Sequence, residues 1–129
     1  MAELIIEDWY LILRLTPGEK VGGFHGNIRV RLPAIVAVAP DPQPWLHLRG
    51  WRMAGISFVG HAVYGTRRHG SGYDFCILHG GRPAVRVDVE PGSGRFSRFV
   101  ISVPEGGDAE AEAARIAAAA GLPPSGPAS

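Results

Sequence analysis

Cysteine is almost missing from these 129 residues: Cys76 stands alone. One thiol excludes an intramolecular disulfide and a zinc site built from cysteines of one chain. Its setting in Phe75-Cys76-Ile77-Leu78 reads as a small buried hydrophobe rather than a reactive nucleophile. Lysine is as scarce, with Lys20 the only one among 13 basic side chains; the bias to Arg, Gly, Ala and Pro fits a GC-rich coding sequence as well as selection for anion recognition. No apolar run approaches the roughly 20 residues that cross a bilayer, the longest being Ala34 to Ala39. The opening Met-Ala-Glu-Leu-Ile-Ile-Glu-Asp lacks the basic start and apolar stretch of a secretion signal, so a cytoplasmic location is expected. Also missing are a phosphate-binding glycine loop, a serine nucleophile turn and close-spaced histidines; His25, His47, His61, His69 and His79 are scattered. The expectation is therefore no enzyme, no cofactor and no metal.

What is present is a chain that is 46% hydrophobic, enough for one core. The period of two recurs along it. Leu4-Ile5-Ile6 and Trp9 to Leu15 read as one kinked strand or two short ones around Glu7-Asp8; Ile28, Val30 and Leu32 alternate with Arg29 and Arg31, and Ala34 to Ala39 continues after Pro33. Pro40-Asp41-Pro42-Gln43-Pro44 is expected to interrupt regular structure and to open a long irregular segment, Trp45 to Gly60. Strand character resumes over His61 to Arg68, Tyr73 to His79, Val85 to Glu90 and Arg98 to Val103, joined by glycine-rich connections. From Asp108 the period becomes helical: Asp108 is an N-cap, Ala109, Ala113, Ile116 and Ala120 share a face, Leu122 folds back toward Ile116, and Gly121 stops the helix. Strands first and a helix last give a mainly β, α+β domain over residues 1–122, followed by a disordered Pro/Gly/Ser tail at 123–129.

The phrases Gly26-Asn27-Ile28-Arg29-Val30-Arg31-Leu32-Pro33-Ala34-Ile35-Val36-Ala37-Val38, Ala62-Val63-Tyr64-Gly65-Thr66-Arg67-Arg68 and Tyr73-Asp74-Phe75, with the final strand pair and helix, resemble small bacterial proteins with a pleckstrin-homology-like (PH-like) fold. The resemblance covers roughly residues 9 to 120. It implies a partly closed barrel of about seven antiparallel strands in two near-orthogonal sheets, plugged by the C-terminal helix. Eukaryotic relatives of that fold often bind phosphoinositides through a Lys, a gap and Arg-x-Arg. Lys20 and Arg29-Val30-Arg31 fit this loosely, and alternating arginines on a wet strand face are the simpler reading.

The candidate binding residues are Trp45, His47, Arg49, Trp51, Arg52, Arg67 and Arg68, because aromatic, imidazole and guanidinium groups interleave there and no Asp or Glu falls between residues 42 and 73. The expected function is a non-enzymatic interaction module that takes a protein segment or acidic group on this basic-aromatic loop, or that self-associates through the acidic helix start. The alternative is a small-molecule-binding or catalytic barrel with a pocket under residues 42–60. A formal charge of +1 speaks against nucleic acid, and a phosphoinositide or anionic lipid headgroup is likewise disfavoured.

Overall fold

The computed structural model describes residues 3–17, 27–48, 51–58, 62–69, 72–90, 92, 94, 96–104 and 107–122, with the backbone alone at 46, 47, 51–58 and 69. The tail at 123–129, Lys20, His25, Arg49 and His61 lie outside the described residues. Strands β1 (Glu3–Glu7) and β2 (Tyr10–Arg14) form a hairpin, so the first stretch is two short strands. The turn is Asp8-Trp9, where Asp8 takes φ 53, a left-handed conformation that Asp tolerates better than most residues. Leu11 and Leu13 face inward while Ile12 is half-buried and Arg14 exposed, which is the alternation of a sheet with one wet face. Strand β3 (Ile28–Arg31) completes a three-stranded sheet, β1-β2-β3.

A 3-10 turn at Leu32–Ala34, with Pro33 presetting its geometry, carries the chain to a second sheet. That sheet contains β4 (Ile35–Asp41), β5 (Trp51–Phe58), β6 (Ala62–His69), β7 (Gly72–His79), β8 (Ala84–Val89) and β9 (Phe96–Ser102). Their order is β4-β8-β9-β7-β6-β5. Helix α1 (Ala109–Ala119) lies against β4 and β8. Asp108 caps it by accepting from the backbone N–H groups of Glu110 and Ala111. At the other end Gly121, at φ 75, lets the N–H of Leu122 reach the carbonyl of Ala117 at 2.8 Å. This C-terminal motif folds Leu122 back onto the core.

The main core lies between the two sheets and under the helix. Leu11, Leu13 and Ile28 meet Phe75, Ile77, Val85, Val87, Phe99 and Ile101, with Ala109, Ala113, Ile116 and Ala117 closing one side. A smaller cluster on the opposite face of the six-stranded sheet joins Val63, Cys76, Leu78, Ala84 and Val100 beneath Trp45 and Leu48.

One expectation is met in part and two are overturned. The fold is mainly β with a C-terminal helix, as expected, but the described strands, nine in two sheets, form no closed barrel. The meander fails between β7 and β8: β9 lies between them, antiparallel to β8 and parallel to β7. The reason is burial. Phe99-Val100-Ile101-Ser102 is buried on both faces, and a strand with two apolar faces belongs in the middle of a sheet. Finally, the irregular segment is largely regular. Pro40 sits within β4, which among the described residues pairs with β8 alone, and an edge strand tolerates a proline. Pro44–His47 is a 3-10 turn, and Trp51–Phe58 is strand β5.

Candidate binding surface

Of the seven candidate residues, Trp45, Arg67 and Arg68 have described side chains, and Trp45 is firmly held. Its indole N–H donates to the carbonyl of Gly80 at 2.7 Å, and the ring rests on the Val63, Cys76, Leu78, Ala84 and Val100 cluster. What lies beneath this tryptophan is packed side chains. Burial pushes the Cys76 thiol up to about 12, with Arg67 pulling against that rise and Asp74 adding to it. Its Sγ also lies 3.6 Å from the carbonyl of Gly65, so Cys76 is a core residue. His47 lies in the 3-10 turn, Trp51 and Arg52 lie in β5, and Arg49 falls outside the described residues.

The arginines of β6 divide between the two faces, as successive residues of a strand must. Arg68 turns toward the core side, its guanidinium carbon 6.0 Å from the centre of the Tyr73 ring. Arg67 belongs to the other face, in register with Asp74. One rim carrying both side chains is thus excluded, and the arginine-rich middle finds an acid just past residue 73.

That acid belongs to a pattern the sequence conceals. Arg67 of β6 is the register partner of Asp74 on β7, Asp74 of Arg98 on β9, and Arg98 of Asp88 on β8. Across four adjacent strands the charges read plus, minus, plus, minus. Asp74 is only 3% exposed and also receives the Ser97 hydroxyl at 3.4 Å. Arg98 Nε donates to Asp88 at 2.6 Å, and Arg86 Nε lies 3.3 Å from the other oxygen of the same carboxylate. Half-buried pairs of this kind gain more from Coulomb attraction than exposed ones, since less water screens them. At the end of this row β5 adds Arg52, the register partner of Arg67, so two positive residues stand side by side.

Two acids of the helix start are already engaged. Asp108 caps α1, and Glu112 accepts from Arg115 Nε at 2.7 Å, while Arg115 also donates to the carbonyl of Leu4. Arg29 and Arg31 are exposed on the three-stranded sheet, Arg29 stacking 4.5 Å from the centre of the Tyr10 ring. A groove of about 290 Å³ runs between Pro40, Pro42, Pro83 and the helix start at Gly107–Glu110. It adjoins the start of the 42–60 segment, and its lining is three prolines, Gly107, Ala109 and the acids Asp108 and Glu110, with no histidine among the described residues. His79 accepts or donates at 3.2 Å with the Tyr64 hydroxyl, and among the described residues no three His, Cys, Asp or Glu side chains gather to hold a metal.

Comparison with protein-family models, with curated proteins and with solved structures found no match to this chain. No helix among the described residues is long and apolar enough to cross a membrane. The charged row could have been suspected from Arg86-Val-Asp88 and Arg98, but only the insertion of β9 between β8 and β7 aligns them.

Proposed function

We propose that this chain is a non-enzymatic binding module, PH-like in kind, that recognises a protein segment through the region of Trp45 to Arg52 and Arg67. The observation that carries this reading is the packing beneath Trp45: a filled apolar cluster anchors the aromatic segment, which leaves a surface rather than a pocket for recognition. Two sheets closed on one side by a C-terminal helix support the PH-like kinship, while the parallel β7–β9 pair and the open sheets depart from it. The small-molecule reading keeps one support, the groove of about 290 Å³ beside α1, which is at the lower end of ligand-pocket size.

A thermal-shift screen separates the two. A ligand at 100 times its Kd adds about 2.7 kcal/mol to stability, which moves a melting temperature by several degrees. A module should be stabilised by acidic peptides, less so as salt rises past about 0.15 M, and not by neutral metabolites. A metabolite that stabilises the wild type but not a variant with the exposed groove residue Glu110→Trp would instead establish the small-molecule reading.

A further inference from the structure

The two edges of the six-stranded sheet are unlike. On β4 the edge contains Pro40 and is backed by α1, both of which discourage another strand from joining. On β5 the edge runs eight residues, Trp51 to Phe58, without a proline and with Arg52 as its only charge. A single bulge lies between Arg52 and Ala54, and from Ala54 to Phe58 the pairing with β6 is regular. Among the described residues nothing pairs with the far side of β5. Long, apolar edges of this sort take up additional strands, with backbone hydrogen bonds supplying affinity.

The charge row states what that strand should carry. From β8 to β6 the signs alternate, Asp88, Arg98, Asp74, Arg67, and then Arg52 repeats the positive sign. Like charges directly opposite in an antiparallel pair are destabilising, and a carboxylate on the next strand would restore the alternation. A second copy of β5 brings no acid, because Trp51–Phe58 contains none; pairing antiparallel about Ala54 and Gly55 it would set Arg52 against Ser57. The helix acids of another copy, Glu110 and Glu112, lie in the first turn of a helix and so cannot enter as an extended strand.

We propose that the β5 edge accepts an extended segment of another protein, added as a seventh strand, with an Asp or Glu of that segment beside Arg52. This rests on the protein-binding reading and gives it a place, a partner conformation and a sign of charge.

The test is selection from a library of displayed dodecapeptides against the full chain and against Arg52→Glu. Wild type should enrich peptides in which β-branched residues flank an Asp or Glu, and Arg52→Glu should enrich Lys or Arg there instead. Methylating alternate backbone nitrogens of the best peptide should weaken its binding at least tenfold, and its complex should slow hydrogen exchange over residues 51–58. If Arg52→Glu does not melt cooperatively, Arg52→Ala replaces it, with at least tenfold loss of the preference for acid over base. A preference indifferent to the charge at residue 52, or protection elsewhere, overturns the edge proposal while segment recognition stands. Slow exchange over 51–58 in a peptide-free dimer gives the edge to a second copy and also overturns it. Failure to enrich any peptide removes the protein-binding reading itself.

Discussion

Asp74 and Cys76 sit two residues apart on the same face of β7, and their burial gives opposite demands: the acid wants its charge matched, the thiol wants to stay neutral. Asp74→Asn leaves Arg67 and Arg98 as neighbours in register with no anion between them. We expect a loss of about 2 kcal/mol in urea unfolding, the scale of a hydrogen bond to a charged group. Cys76 ionises at 9.0 ordinarily and at about 12 when folded. Between those values the folded chain holds the proton that the unfolded chain has lost, so this group's stabilisation is complete below pH 9 and is drained as pH climbs toward 12. Cys76→Ala should therefore flatten the fall of melting temperature above pH 9, and the wild-type thiol should resist a disulfide reagent at pH 8 until denaturant is added. Prompt labelling without denaturant would refute its burial.

Among the elements, α1 was the most legible in the sequence because its signals are local: the Asp108 cap, the spacing of Ala109, Ala113 and Ile116, and Gly121 as the stop. Ile116 is fully buried, and Ile116→Ala should cost about 3 kcal/mol. Gly121→Ala meets no atom but must hold φ 75, and about 1 kcal/mol in a chemical denaturation curve is expected. An unchanged midpoint for Ile116→Ala would mean that the helix does not pack. The strands of the first hairpin were legible for a similar reason, since Leu11, Leu13 and Leu15 mark one face. Strand β5 was hidden by its glycine, its bulge and the prolines before it, which together imitate a loop. The position of β9 was hidden because pairing between distant strands leaves no mark on local period. Its continuous apolar run was the available clue, and it also decided which charges would align on the candidate surface.

At the scale of the whole molecule, stability should depend on salt only in part. The core between the sheets is apolar and indifferent to screening, whereas the charge row is half-buried and the Arg115–Glu112 pair is exposed. Raising salt from 0.05 M to 0.5 M should lower the melting temperature of the wild type more than that of a variant with Asp74, Asp88, Arg67 and Arg98 all made Ala. Equal responses would mean the row contributes nothing. The insertion of β9 between β7 and β8 has its own bearing on how the protein is made. A ribosome delivers β7 and β8 first, yet they face each other across a gap that only β9, delivered later, can fill. Until β9 has emerged, the middle of the large sheet has two sticky sides and no occupant. Such a nascent chain is open to intrusion by a neighbouring polypeptide, so slower and more dilute synthesis should raise the yield of folded protein.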